Sequence, residues 1–303
     1  MPAPAEMISA SSPSVAPRVT CLAYGGARHL AWRRAVNAVM LGATGACALA
    51  LLVPLALILG YLLYQGFTSL SWAFFTTLPK PAGEAGGGVA NAIVGSAIVI
   101  GMAAAAAVPL GVMVAVLVHE FARGSRFAAA VRFTCDMINS TPSIILGLFA
   151  FAIVVTTMGR FSAIAGSFAL FTMMIPVVAR GTEEILRTVP DSLREASLAL
   201  GASRWQTIRR VVLPAVRGGI ATAVALSLAR ISGETAPLLF TALGTDQWAF
   251  RPDQPMSTLP VRIYQLASSP YPDYHKQAWA AALVLVALIT AVNGFARWAT
   301  RAR

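Results

Sequence analysis

EEILRTVPDSLREASLALGASRWQTIRRVVLP occupies residues 183–214 and separates two long apolar parts of the chain. This stretch carries five arginines and four acidic residues, although only 12% of the chain is charged. Charged side chains are expensive inside a bilayer and are rare there. We therefore expect this stretch, called the charged island below, to lie outside the membrane. Its two amphipathic halves predict a surface that binds another molecule.

The composition indicates a membrane protein. Hydrophobic residues make up 57% of the 303 residues and the mean hydropathy is +0.70, whereas a soluble domain carries about 25% charged residues. The formal charge of +11 is better explained by basic residues that flank membrane helices than by nucleic-acid binding. The three cysteines and three histidines share no spacing typical of a metal or redox site. We predict neither a catalytic site nor a metal site in this chain.

Six apolar segments are long enough to cross a bilayer, which takes about 20 residues as a helix. The predicted spans cover residues 39–64, 91–118, 137–157, 161–179, 219–243 and 278–295. The first span is longer than the roughly 7–15 apolar residues of a signal peptide, so we expect it to be retained behind a disordered tail over residues 1–35. The predicted fold class is an all-α polytopic membrane protein with six transmembrane helices.

The basic residues are distributed unevenly between the two sides of these spans. The tail, the segment 119–136, the charged island with its flanks and the C-terminus together hold 17 lysines and arginines, and the opposite segments hold 5. Basic residues accumulate on the cytoplasmic side of membrane proteins. Both termini and the charged island are therefore expected in the cytoplasm.

Local signals divide the charged island into two helices. Pro190 and Asp191 are typical of a helix start, and Gly201 supplies the left-handed residue that ends a helix. Ser203 and Gln206 form an S-x-x-Q capping box, which predicts a second helix that begins at once and closes at residues 213–214. The apolar faces expected on the two helices are Leu193, Ala196, Ser197 and Leu200, and Trp205, Ile208, Val211 and Val212.

The spacing within the island matches a known motif. Glu195-Ala196-Ser197, Gly201 and Val211-Val212-Leu213-Pro214 reproduce EAA-x3-G-x9-I-x-LP, with serine for the second alanine and valine for isoleucine. This pattern resembles the EAA loop of the permease subunits of type I ABC importers, where the loop docks into a cleft on the ATP-hydrolysing subunit. The resemblance implies the type I permease fold. It also implies an ATPase-coupling role for Glu195, Ala196, Ser197, Gly201, Leu213 and Pro214.

The sequence contains no phosphate-binding loop for ATP. Such a loop needs a lysine followed by serine or threonine in a glycine-rich motif, and neither Lys80 nor Lys276 lies in one. We therefore expect no cofactor in this chain, with ATP and Mg²⁺ bound by a partner ATPase.

Two charges are predicted within the fifth span. Arg230 lies 11 residues beyond the start of this span, which corresponds to roughly 16 Å of helix and to the middle of a core about 30 Å thick. Glu234 follows four residues later, on the same helical face. The two residues form either a structural ion pair or part of an anion pathway. Ser140, Thr141 and Ser143 interrupt the third span, where they either donate to a solute or pack helices together.

Four segments resemble the PstA family of phosphate-importer permeases. They are residues 74–96, 140–151, 229–244 and 256–270, of which the third reads ARISGETAPLLFTALG. The partner permease family of the same importers has a similar GET core without the APLLF continuation. The resemblance implies a permease domain over residues 90–297. The first helix and an outer loop over 36–89 precede this domain, and a short C-terminus over 298–303 follows it.

The same resemblance implies the cargo and the partners. It implies import of inorganic phosphate through a bacterial inner membrane by alternating access, with a second, PstC-like permease, a dimer of PstB-like ATPases and a PstS-like phosphate-binding protein. A permease for another oxyanion, such as molybdate or sulfate, is the nearest alternative, because the charges alone support only an anion. An ion-coupled secondary transporter that uses Glu234 is the alternative from another class.

Overall fold

The computed structural model describes residues 27–81, 84 and 86–301, and the regular secondary structure in these ranges is entirely helical. The α-helices are α1 (Ala27–Ser69), α2 (Trp72–Thr76), α3 (Ala90–Val116), α4 (Arg126–Ser140), α5 (Ser143–Ala150), α6 (Thr156–Met158), α7 (Ala163–Arg187), α8 (Asp191–Ala199), α9 (Arg204–Thr207), α10 (Leu213–Ser232), α11 (Ala236–Leu239), α12 (Leu259–Ala267) and α13 (Pro272–Arg301). Three π-helical turns adjoin them, π1 (Leu117–Phe121), π2 (Phe151–Val155) and π3 (Ile208–Val212). The predicted all-α class is confirmed.

Five helices in the described residues are long and apolar enough to cross a membrane. They are His29–Ser69, Ala90–Phe121, Ala163–Arg187, Arg204–Ser232 and Pro272–Phe295. A sixth crossing is reached if α4 and the helix that runs from α5 to α6 count as one bent pair. The six predicted spans therefore agree with the higher of the two counts.

The described residues divide into two compact units, with the boundary between residues 58 and 59. Residues 1–26, which make up most of the predicted tail, lie outside the described residues. Residues 27–35 were also expected in the disordered tail, but they are helical in α1. Alanine, leucine and arginine dominate this segment and are strong helix formers, so the helix begins well before the apolar span.

Buried apolar side chains form three clusters in the second unit. The largest lies among α3, α7, α10, α11 and α12 and includes Val99, Leu170 and Ile231. A second cluster joins α2, α3, α12 and α13, and a third joins α3, α7, π3 and α10 beside the charged island. Small residues let membrane helices approach closely. Accordingly, a Cβ added to Gly111 of α3 would lie only 2.8 Å from the Cβ of Val178 in α7.

The third predicted span, residues 137–157, is wrong in its boundaries. Helix α4 begins at Arg126, where the Ser125 hydroxyl accepts from the Ala128 N–H at 3.1 Å, and it continues to Ser140. The chain then bends by 102° before α5. Pro142 disfavours a helical conformation in the residue before it, and Thr141 is accordingly extended. The polar interruption predicted at Ser140, Thr141 and Ser143 is therefore a sharp corner.

The fifth predicted span, residues 219–243, also needs correction. One helix runs from Arg204 through π3 to Ser232, so residues 213–214 do not close the island. Pro214 is the second residue of α10 and follows the π-helical turn π3, whose last residue Val212 is itself helical, so the helix continues through this proline. Gly233 ends α10, and only the four-residue helix α11 follows before residue 243.

Candidate functional site

A cavity of about 140 Å³ lies at the corner between α4 and α5. Its walls are formed by Ile138, Asn139, Thr141, Ser143, Leu146, Met173, Arg230 and Glu234. Four of the five predicted pathway residues therefore share one space, although they come from two separate parts of the chain. The fifth, Ser140, is exposed outside this wall and its hydroxyl donates to the Asp136 carbonyl.

Backbone geometry on both sides creates this cavity. The bend at Pro142 turns the end of α4 and the start of α5 toward the same space. Opposite them, α10 ends shortly after Arg230. Helix α5 approaches the segment beyond α10 so closely that a Cβ on Gly147 would lie 2.6 Å from the Cα of Pro237. A glycine at 147 is therefore required for this wall to close.

Glu234 does not lie on the same helical face as Arg230, which corrects the prediction. The helix ends at Ser232, and the Glu234 N–H donates to the Ile231 carbonyl at 3.1 Å in the turn that follows. Among the described residues, neither Arg230 nor Glu234 forms an ion pair within 4.0 Å. The ion pair between Arg230 and Glu234, one of the two alternatives that the sequence allowed, is thus not formed. Both charged side chains line the cavity.

The cavity also offers uncommitted polar groups. Within the described part of the chain, the Asn139 amide and the Ser143 hydroxyl make no hydrogen bond to another residue, while the Thr141 hydroxyl donates to the Met137 carbonyl at 2.8 Å. Ser143 is the first residue of α5, where the backbone N–H groups have no intrahelical acceptor and carry the positive end of the helix dipole. A guanidinium, an amide, a hydroxyl and a helix N-terminus together suit an oxyanion.

A buried cluster of charges joins α4 to α7 near the charged island. Glu183 is almost fully buried, and its carboxylate accepts from Arg132 at 2.7 Å, from Arg187 at 2.8 Å and from Arg180 at 3.3 Å. Asp136 of α4 pairs with Arg180 at 3.1 Å. Glu183 was expected in the solvated island, and its buried position and its three arginine partners were not predicted. The four-residue spacing from Glu183 to Arg187 was the available signal.

The first helix of the island has the predicted ends. Helix α8 begins after Pro190, Gly201 has φ of 84°, and Ser203 and Gln206 form both hydrogen bonds of the capping box. An added Cβ on Gly201 would meet nothing within 4 Å. Its left-handed backbone, rather than crowding, therefore favours glycine.

The predicted apolar faces are only half correct. Ile208 and Val212 are buried in the third apolar cluster, but Trp205 is 58% exposed. Helix α8 buries no residue, and Leu200 just beyond it is 90% exposed. Glu195 and Ala196, which were predicted to couple to an ATPase, are also exposed, while Ser197 is half-buried and its hydroxyl lies 2.9 Å from that of Thr207. The island thus presents an exposed surface rich in apolar groups.

Two ion pairs attach α8 to the end of α3. Arg194 bonds Glu120 of π1 through a buried contact, and Asp191 pairs with Arg123 at 3.1 Å in an exposed one. The hydrogen bond from Arg123 lowers the pKa of Asp191 below its ordinary value. The pair of Arg194 and Glu120 was not predicted, because 74 residues separate the two side chains and no local pattern relates them.

Comparison with known proteins identifies the family. Residues 107–303 match the family described as binding-protein-dependent transport system inner membrane component. The chain is 42% identical over 266 residues to the phosphate transport system permease protein PstA of Haemophilus influenzae, covering 88% of this chain and 94% of that protein. It is 42% identical to PstA of Yersinia pestis, with 88% and 90% covered. It is 41% identical to PstA of Mycobacterium leprae, with 80% and 82% covered.

Solved structures support the fold. A chain of the bacterial alginate ABC transporter, in complex with its alginate-bound periplasmic protein, superposes with a TM-score of 0.63 at 16% identity, covering 88% of this chain and 95% of that one. A chain of the inward-facing methionine ABC transporter MetNI gives 0.57 at 23% identity, with 69% and 94% covered. These likenesses establish the type I ABC importer permease fold. Together with the sequence relatives, they show that the chain belongs to the PstA family of phosphate transport system permease proteins, a multi-pass inner membrane family.

Proposed function

We propose that this chain forms one half of the pathway through which an ATP-driven importer moves inorganic phosphate across a bacterial inner membrane. The observation that carries the proposal is the cavity at the α4–α5 corner in a chain of the PstA family. There Arg230 makes no ion pair with another described residue, and Asn139 and Ser143 have free donors. A charge at membrane depth without a partner is costly, which is most simply explained by an anion that pairs with it during transport.

Glu234 favours phosphate over a fully ionised oxyanion. Its carboxylate lines the same cavity as Arg230 and accepts hydrogen bonds only, because an ionised carboxylate has no proton to donate. Phosphate near neutral pH still carries at least one hydroxyl, which can donate to this carboxylate. Sulfate and molybdate carry none, so Glu234 would repel them. Such a contact would distinguish phosphate from the nearest alternative cargo.

The proposed partners follow from two features, the missing phosphate-binding loop for ATP in the sequence and the exposed surface of the charged island. A second, PstC-like permease would complete the pathway, a PstS-like protein would deliver phosphate at the outer face, and two PstB-like ATPases would bind ATP and Mg²⁺. In the orientation predicted from the distribution of basic residues, both termini and the charged island are cytoplasmic. The exposed Glu195, Ala196 and Leu200 surface of the island would enter the ATPase, with Gly201 at its turn.

The helix after the turn offers a route for coupling. Ser197 contacts Thr207, and from there one helix continues through Leu213 and Pro214 to Arg230. Movement of the ATPases would thus reach the cavity along a single helical element. We propose that this movement alternates the access of the cavity between the outer and the cytoplasmic face.

Replacement of Arg230 tests the proposal. In the complete importer reconstituted in liposomes, Arg230→Gln should abolish uptake of labelled phosphate while the subunits still co-purify. Arg160→Gln is the matched control, since Arg160 forms an exposed ion pair with Asp253 and such pairs contribute little. Normal uptake by Arg230→Gln would reduce Arg230 to a packing residue.

The same liposomes separate the alternatives. Phosphate import should stop without internal ATP and should survive a protonophore, whereas an ion-coupled transporter would behave in the opposite way. Excess sulfate or molybdate should compete poorly with labelled phosphate. Strong competition would favour a different oxyanion as the cargo.

A further inference from the structure

Helix α8 is attached to the rest of the protein almost without apolar packing. It buries no residue, and the third apolar cluster draws its members from α3, α7, π3 and α10 but not from α8. Leu193 and Leu198 are 38% and 46% exposed. Polar contacts must therefore hold this helix in place.

One side chain supplies most of those contacts. Arg194 is only 12% exposed, and its guanidinium donates to both carboxylate oxygens of Glu120, with the shortest distance 2.7 Å from Nη2 to Oε1. Glu120 is itself 9% exposed. A buried, forked arginine–carboxylate contact is stronger and more directional than a surface ion pair.

The same guanidinium reaches the end of α7. Its Nη1 donates to the Val189 carbonyl at 2.8 Å and its Nη2 donates to the Leu186 carbonyl at 3.2 Å. Leu186 lies in the last turn of α7 and Val189 lies two residues beyond the end of this helix. Arg194 thus connects α8, the end of α7 and the end of α3 through one rigid, planar group.

The Glu120 end of the contact lies in an unusual helical segment. Glu120 and His119 belong to π1, the wider turn that ends α3. His119 Nε2 lies 3.4 Å from Nη2 of Arg194, and since a guanidinium only donates, this nitrogen is the acceptor. π-helical turns occur often at functional positions. At the other end of α8, Ser197 contacts Thr207, the residue directly before π3.

We propose that Arg194 is a positioning residue that locks α8 to the end of α3 through Glu120, so that both move as one body when an ATPase acts on α8. This inference rests on the proposed function, in which α8 docks the ATPase. Without the lock, α8 would still dock but would move relative to α3. ATP hydrolysis would then continue while phosphate transport declined.

The chain provides a matched control for the lock. Arg123 and Asp191 connect the same two segments at 3.1 Å, but their side chains are 54% and 61% exposed. An exposed pair of this kind contributes little. Arg123→Gln should therefore behave like the unchanged protein, although it also removes an ion pair between α8 and the segment after α3.

The test uses the complete importer in liposomes and measures phosphate imported per ATP hydrolysed. Glu120→Gln removes the charge but keeps the shape, and Arg194→Lys keeps the charge but loses the fork. Each should lower the ratio about tenfold, within the range of typical coupling energies, while the ATPase still co-purifies. The double variant should be no worse than either single variant, because the two residues act as one pair.

Three results would overturn the lock. The first is an unchanged ratio of phosphate imported to ATP hydrolysed in Glu120→Gln and Arg194→Lys. The second is a double variant in which the effects of the two substitutions multiply. The third is failure of the ATPase to co-purify with Glu120→Gln. The last result would make Glu120 necessary for docking rather than for transmission. A separate variant tests the underlying proposal that the charged island docks the ATPase. If that proposal is wrong, Gly201→Asp will leave both ATPase docking and phosphate uptake intact.

Discussion

The cavity beside Arg230 and the cluster around Glu183 both include residues of α4 and α7, but the charges are unpaired in the cavity and paired in the cluster. Around Glu183, three arginines from α4 and α7 surround one buried carboxylate within 3.3 Å. In the cavity, residues of the same two helices face Arg230 and Glu234, which form no ion pair with the described residues. Paired buried charges fasten helices together, whereas unpaired charges are available to a solute.

Removing the buried carboxylate should have the largest effect. Glu183→Gln leaves three arginines competing for a neutral side chain, and breaking a buried pair costs about 3–5 kcal/mol. The free energy of unfolding of the purified permease complex, measured by thermal or denaturant unfolding, should fall accordingly. Arg230→Gln is the control and should not lower the free energy of unfolding, since it breaks no ion pair among the described residues and removes a charge that is costly at membrane depth. Equal losses in both variants would remove the distinction between the two regions.

A change within the cavity should alter selectivity more than stability. Glu234→Gln removes a charged acceptor, and a hydrogen bond to a charged group contributes about 1.5–3 kcal/mol, so phosphate uptake should fall about tenfold or more. Repulsion of sulfate should fall as well. The measurement is the inhibition of labelled phosphate uptake by excess sulfate, which should be stronger in Glu234→Gln than in the unchanged protein. Unchanged uptake with unchanged competition would show that Glu234 does not contact the cargo.

The smallest effect is expected at the edge of the cluster. Asp136 is 50% exposed and pairs with Arg180, which is 36% exposed. Exposed pairs contribute about 0–1 kcal/mol, so Asp136→Asn should lower the free energy of unfolding by less than about 1 kcal/mol. A loss as large as that of Glu183→Gln would mean that the cluster acts as one unit rather than through its buried carboxylate.

The structure also shows where sequence patterns succeeded and where they failed. The ends of α8, the left-handed Gly201 and the capping box at Ser203 were predicted correctly, because each depends on residues a few positions apart. The third and fifth spans were misplaced by the corner at Pro142 and by the continuous helix through Pro214. A proline disfavours a helical conformation in the residue before it, and the chain bends at Pro142 accordingly, whereas the helix from Arg204 continues through Pro214 just after π3.

The sequence by itself determined the helical class, the approximate membrane segments and the capped turn of the island, because hydrophobic periodicity and capping are local properties. Only the tertiary structure decided which charges meet. Glu183 finds Arg132 across 51 residues and Arg194 finds Glu120 across 74, while Arg230 and Glu234, only four residues apart, form no pair. The reason is physical: partners of a charged side chain depend on how helices pack and where they end, and neither is encoded in the spacing of residues along one helix.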